Sequence, residues 1–155
     1  MVFGQPSLKG RALRLLSQRE YSCKELSTKL ARYIGDTEVT DGLAQIERTV
    51  AELASLGFVS DQRAADSVLH TKGQRYGLLK IRQVLQAKGI APDLLSDALD
   101  KARLTEFDSA RQVWERRFGT PAADAKEQAR QYRFLTSRGF SSDTVRRLLN
   151  ARSEP

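Results

Sequence analysis

Leu85-Gln86-Ala87-Lys88-Gly89-Ile90 returns 50 residues later as Leu135-Thr136-Ser137-Arg138-Gly139-Phe140. The correspondence continues in order, Asp93 with Asp143, Leu95 with Val145 and Leu99 with Leu149. Leu53-Ala54-Ser55-Leu56-Gly57-Phe58 has the same Leu-x-x-x-Gly-apolar ending, in a third helix rather than a second. Any helical hairpin can end in glycine, because a left-handed C-terminal residue costs least there. A block that recurs with its order kept goes further and marks an internal repeat. The sequence therefore divides into three units of three helices, residues 5–57, 60–103 and 104–152. A helix ending in Gly-apolar, a short turn and a second helix resemble a helix-turn-helix hairpin. Units this small barely bury enough apolar surface to stand alone. Neighbours must lend each other surface, which predicts an all-α, elongated and curved array.

Hydrophobic periodicity supports helices nearly everywhere and strands almost nowhere. Nine apolar stripes fall at helical spacing. The first three are Leu8/Ala12/Leu15/Leu16, Cys23/Leu26/Leu30/Tyr33 and Leu43/Ile46/Val50/Leu53. The middle three are Ala64/Ala65/Val68/Leu69, Leu78/Ile81/Leu85 and Leu95/Ala98/Leu99/Ala102. The last are Phe107/Ala110/Val113/Trp114, Ala125/Ala129/Tyr132/Leu135 and Val145/Leu148/Leu149. Ser22 with Glu25 reads as a capping box, flanked by Tyr21 and Leu26 at staple spacing. Thr105 with Asp108 is a weaker cap, and Pro92 suits a first helical turn. Gly35, Gly57, Gly89 and Gly139 stand just after stripes, as helix stops.

The chain has 155 residues, 26 Lys+Arg against 19 Asp+Glu, and a formal net charge of +7. An anionic partner follows naturally, since cations neutralise phosphates and release counterions. Arginine outnumbers lysine 18 to 8, and its planar fork suits phosphate and carboxylate better than a point charge does. The excess is uneven: +1 over residues 1–60, and +3 over each of 61–103 and 104–155. From Lys72 to Pro92 there are five cations and no acid. Lys126, Arg130 and Arg133 fall at i, i+4 and i+7 and make a basic stripe, with Arg146 and Arg147 on the last helix. Gln74-Arg75-Tyr76-Gly77 precedes a helix bearing Lys80 and Arg82, and an aromatic between cations can stack on a base or pack in a protein groove. The candidate binding surface is Arg75, Lys80, Arg82, Lys88, Lys126, Arg130, Arg133, Arg146 and Arg147.

Several classes of function are disfavoured. No apolar run approaches the roughly 20 residues of a membrane helix, and Met1 to Lys9 lack the pattern of a secretory signal. Cys23 is the only cysteine, which excludes an internal disulfide and suits a reducing cytoplasm. One cysteine and one histidine leave few soft ligands for zinc. Asp93, Asp97 and Asp100 read as a solvated helix start rather than a magnesium site. His70 lacks the surroundings of a catalytic triad, and Cys23 reads as a small residue on a packed stripe. There is no phosphate-cradling glycine loop. The expectation is a non-enzyme without metal or cofactor.

Three blocks resemble the RecX family, bacterial regulators of the RecA recombinase. Arg11-Ala12-Leu13-Arg14-Leu15-Leu16-Ser17-Gln18-Arg19-Glu20-Tyr21-Ser22, followed by Glu25-Leu26 and Lys29-Leu30, is similar to the family's opening. Tyr76-Gly77-Leu78-Leu79-Lys80-Ile81-Arg82-Gln83-Val84-Leu85-Gln86-Ala87-Lys88-Gly89-Ile90 resembles its central block. Arg133-Phe134-Leu135-Thr136-Ser137-Arg138-Gly139-Phe140-Ser141-Ser142-Asp143-Thr144-Val145 resembles its closing block. One departure is Ala64-Ala65 after Asp61-Gln62-Arg63, where the family usually carries an aromatic. The resemblance implies tandem three-helix repeats and a monomer that binds the RecA–DNA filament. It further implies suppression of filament growth, ATP hydrolysis and strand exchange. Direct contact with single- or double-stranded DNA is a further partnership that the cations allow.

Two rival readings come from other classes. A helix-turn-helix transcription regulator would need base-reading residues at the start of a recognition helix. The candidate helices begin Asp93-Leu94-Leu95 and Asp143-Thr144-Val145, which are poor readers of base edges. A helical-repeat scaffold for an unrelated protein is the other.

Overall fold

The computed structural model describes residues 6–35 and 39–153. They form eight α-helices and, among the described residues, no strand. These are α1 (Leu8–Leu16), α2 (Cys23–Ala31), α3 (Val39–Ser55), α4 (Asp61–Lys72), α5 (Leu78–Ala87), α6 (Pro92–Arg117), α7 (Ala125–Ser137) and α8 (Ser142–Ser153). Residues 1–5 of the Met1–Lys9 stretch read for a leader, and the start of the first unit at residue 5, lie outside the described residues. The chain groups into two compact units, Met1–Ala65 with Lys88–Ala91, and Asp66–Ala87 with Pro92–Pro155.

The first unit is built on α1, α2 and α3 around Ala12, Tyr21, Leu26, Leu30, Ile46, Val50, Leu53 and Val59. Local chemistry sets its helix starts. Ser7 caps α1 by accepting from the Gly10 N–H. The capping box at Ser22 forms as expected: its Oγ accepts from the Glu25 N–H at 3.1 Å, and Glu25 Oε1 accepts from the Ser22 N–H at 3.0 Å. Both staple residues, Tyr21 and Leu26, are buried. Ser22 Oγ also donates to the Lys88 carbonyl at 2.6 Å, while Lys88 Nζ and Arg19 Nη2 reach Glu25 Oε2 at 2.9 and 3.1 Å. Asp61 accepts the Cys23 N–H at 2.8 Å. Arg63 pairs with Glu20 and donates to the Gly57 carbonyl. These residues stitch turns to helix ends. Ala64 and Ala65, where the sequence departs from the family pattern, are both buried.

The second unit has a core of Ala110, Trp114, Leu135, Phe140, Val145, Leu148 and Leu149. Trp114 Nε1 donates to Gln131 Oε1 at 2.9 Å, and Gln131 Nε2 donates to the Thr120 carbonyl at 3.2 Å, so this buried polar pair is satisfied. Two of the nine expected helices are one here. The stripes at Leu95–Ala102 and Phe107–Trp114 both belong to the 26-residue α6. Its buried face runs Ala98, Leu99, Ala102, Glu106, Ser109, Ala110, Trp114, which is unbroken helical spacing with two polar members in the middle. Those polar members disguised the continuity. Thr105, expected to cap a new helix, instead bonds back to the Ala102 carbonyl within α6. Pro92 does open a helix, and Gly57, Gly89 and Gly139 take positive φ after helix ends. Gly35 does not; α2 is already capped at Arg32, and it is Gly119 that follows α6 with positive φ.

Candidate functional site

The candidate cations lie on or beside α5, α7 and α8. Arg75 is exposed in the turn before α5, and Lys80 and Arg82 are exposed on α5 itself. Lys126, Arg130 and Arg133 are exposed along α7, and Arg146 and Arg147 along α8. Lys88 belongs to the first unit, where its ammonium is held by Glu25 with 20% of its side chain exposed. Arg130 pairs with Glu127 at 2.9 Å and Arg146 sits 3.7 Å from Asp143. Both are exposed i,i+3 pairs, worth roughly 0–1 kcal/mol and readily exchanged for another anion. Arg75, Lys80, Arg82, Lys126 and Arg133 have no carboxylate partner among the described residues.

A junction at the centre of the second unit places part of this set. The Gly77 N–H donates to the Arg138 carbonyl and the Leu79 N–H to the Gly139 carbonyl, each at 3.0 Å. The backbones approach this closely because both strands of the contact carry glycine. A Cβ on Gly77 would run into the Phe140 backbone, and one on Gly139, whose φ is +86°, into the Lys80 backbone. Beneath them lies Glu106, 4% exposed. Glu106 Oε2 accepts the Leu78 N–H at 2.8 Å, and Oε1 accepts both the Ser141 N–H at 3.2 Å and the Ser141 hydroxyl. One carboxylate thus serves the first turn of α5 and the entry to α8, where unpaired N–H groups attract negative charge. The turn of the second copy of the repeated block thus meets the start of α5, the helix whose other end carries the first copy. Lys80 and the α7–α8 turn are fixed side by side.

The structure also brings up residues that sequence reasoning passed over. Arg138 lies 5.1 Å from the Phe134 ring centroid and 5.8 Å from that of Tyr76, and Lys72 approaches Tyr76 from 5.7 Å. Arg117 lies 5.3 Å from Phe134, and Arg130 5.5 Å from Phe118. The dipeptides Arg117-Phe118 and Arg133-Phe134 carried the signal, since a cation beside a ring recurs in both. Tyr76 was singled out, but its arginine neighbour comes from 62 residues further along the chain.

Other side chains lack a visible chemical role. Cys23 packs against the first core, and burial, with the Asp61 charge adding to it, pushes its thiol up, which disfavours the thiolate. His70 is exposed near the end of α4. No group of three His, Cys, Asp or Glu among the described residues is placed to hold a metal, and no helix is long and apolar enough to cross a membrane.

Comparison with known proteins adds family likeness to this geometry. Residues 60–99 match the model of the RecX second three-helix domain and residues 105–149 that of the third. The regulatory protein RecX of Leptothrix cholodnii is 51% identical over 145 residues, covering 94% of this chain and 88% of the relative. That of Herminiimonas arsenicoxydans is 38% identical over 150 residues, covering 97% and 95%. The crystal structure of RecX from Lactobacillus salivarius matches with a TM-score of 0.67 at 24% identity, over 93% of each chain. A second crystal structure, of a regulatory protein RecX, matches with a TM-score of 0.74 at 22% identity, over 92% of this chain and 71% of that one.

Proposed function

Because the chain belongs to the RecX family of regulatory proteins, we propose that it binds the RecA–DNA filament in the cytoplasm, as a monomer, and restrains it. Filament growth, ATP hydrolysis and strand exchange all fall when it is bound. The observation that carries this reading is the set of exposed cations without carboxylate partners on α5 and α7, Lys80, Arg82, Lys126 and Arg133, with Arg75 in the turn before α5. Arg130, Arg146 and Arg147 extend the surface, whereas Lys88 serves the first unit through Glu25. The three-part division at 5–57, 60–103 and 104–152 belongs to the same proposal, with α6 as a helix that the second and third parts share.

Restraint requires no chemistry on the protein's part. A ligand shifts a conformational equilibrium by its differential affinity for the two states. The protein therefore has to bind a blocked or shortened filament better than a growing one, and its arginines suit carboxylates and phosphates on that polymer. Addition of the protein to RecA on single-stranded DNA should slow the DNA-dependent ATPase at ratios well below one per RecA subunit. Reversing Lys80, Arg82, Lys126, Arg130 and Arg133 to Glu should raise the concentration for half-inhibition by about tenfold or more, with helical circular dichroism unchanged. An ATPase indifferent to the protein over a wide concentration range would refute the function. Full inhibition by the reversed variant would refute the surface.

A further inference from the structure

The Leu-x-x-x-Gly-apolar ending occurs three times, and two of the three turns are seated against a helix start. A Cβ on Gly89 would run into Lys24 in the first turn of α2, and one on Gly139 into Lys80 in the first turn of α5. The third turn, Leu56-Gly57-Phe58 at the end of α3, is built alike. Gly57 takes φ +82° against +86° at Gly139, and the Phe58 N–H donates to the Leu53 carbonyl as the Phe140 N–H does to that of Leu135. Yet nothing stands within 4 Å of a Cβ placed on Gly57, and Leu56 and Phe58 are 59% and 51% exposed. One fixed turn thus holds two large apolar side chains in water, whereas apolar residues scattered singly need no partner.

The second unit carries a matching bare feature. The start of α7, Asp124 to Glu127, repeats the Lys-Glu pair of Lys24-Glu25 at the same positions after its cap, but Asp124, Ala125 and Lys126 are all exposed. Beside it, α7 and α8 leave a groove of about 300 Å³ lined by Ala125, Ala129, Tyr132, Leu149 and Arg146, among others.

We propose that these two features meet between two copies of the chain: the Leu56-Gly57-Phe58 turn of one molecule docks on the start of α7 of the next, with the Phe58 ring in the groove. The two seated turns supply the geometry, a glycine packed on the lysine of a first helical turn. Tyr132 gives the phenylalanine an aromatic neighbour. Charge selects this groove. The last turn of α3 has no basic residue, so its negative carbonyl end is compensated only by Arg63, which reaches the Gly57 carbonyl while held by Glu20. Lys126 has no carboxylate partner among the described residues, and Arg146 has only an exposed one, Asp143, so both attract that end. The apolar groove between α2 and α3 has Glu47 as its only charged lining residue, which repels it. The contact joins two different faces and is therefore heterologous, leaving a turn free at one end and a groove at the other. It also covers Lys126 and Arg146 of the candidate filament surface. On that reading of the surface, self-association competes with filament binding, and the monomer is the form that binds.

Sedimentation equilibrium of the purified full chain, without RecA or DNA, tests the contact apart from that reading. The weight-average mass of the wild type should rise above the monomer mass as loading increases to about 1 mM, which reaches contacts of millimolar Kd. Phe58→Ser removes the ring, while Ala129→Glu fills the groove and adds an acid; each should weaken association by about tenfold or more. Both positions are exposed, and circular dichroism checks that the helices are kept. Mixing the two variants is the sharper arm. Phe58→Ser keeps its groove and Ala129→Glu keeps its turn, so the mixture should regain association and stop at one-to-one pairs. A wild type that stays at the monomer mass would overturn the proposal and leave the groove to a different protein. Association retained by either variant at wild-type strength would overturn it too, as would a mixture no heavier than its components. None of these outcomes alters the ATPase test.

Discussion

Glu106 is the side chain on which the second unit's junction turns. Its two oxygens take three donors, from Leu78 and Ser141, in a setting with almost no water. Glutamine is nearly the same shape but replaces one acceptor by a donor, leaving a buried backbone N–H facing an N–H. Glu106→Gln should therefore cost about 1–3 kcal/mol, read as a lower midpoint in denaturant unfolding with an unchanged slope. An unaltered midpoint would mean that the N–H groups find other acceptors. Glu25 answers differently, through pH. Burial pushes its carboxyl up, but the Ser22 N–H, Lys88 and Arg19 together outweigh burial and hold it below the ordinary value. A lowered folded value means that the stabilisation is complete above the unfolded carboxyl value of about 4.3. It is lost as pH falls through the folded value. Glu25→Gln keeps the cap, since glutamine also serves a capping box. It should flatten the fall in stability below about pH 4.5, measured as denaturant midpoint against pH. The same steep fall in the variant would exonerate the carboxylate. The capping box was legible in the sequence, because its partners stand three residues apart. The Lys88 contact was not, because 63 residues separate it from Glu25.

Helix α6 is where periodicity misled. Positions 93–117 contain neither glycine nor proline, so local propensity offered no stop. The expected break rests on the Thr105–Asp108 cap between two apolar stripes, and the buried face in fact continues across it through Glu106 and Ser109. Ser109 is itself satisfied, donating to the Gly73 carbonyl at 2.8 Å. Leu104, 85% exposed, offers a clean test because its side chain contributes little packing. Leu104→Ala should be nearly neutral, whereas Leu104→Pro should cost about 3 kcal/mol or more by removing a helical hydrogen bond and clashing with the preceding turn. Thermal unfolding distinguishes the two. Had a helix begun after Leu104, proline there would be tolerated, so equal melting temperatures for both variants would restore the broken-helix reading.

Across the whole chain, the net charge of +7 and the unequal share of cations were plain from composition. Fold class and most helix positions were equally plain. Helical periodicity, Ser22–Glu25 capping and Pro92 at a helix start involve groups within about one turn of each other, and short-range sterics and hydrogen bonds act at that distance whatever the rest of the chain does. The repeated block identified the turns that follow α5 and α7, and the second of these, Arg138–Ser141, contacts Gly77–Lys80 at the start of α5. It did not reveal that contact. Which cations stay free, which are held, and which face a ring depended on packing between positions 28 to 63 residues apart, as with Leu78 and Glu106, Tyr76 and Arg138, and Glu25 and Lys88. Such pairs form because burial of the apolar stripes brings helices together, and the polar groups are then obliged to find partners among whatever that burial has placed beside them. Element type was thus a local matter, readable from one dimension, while the assignment of each charge to solvent, to an acid or to an aromatic face awaited the close packing of the core.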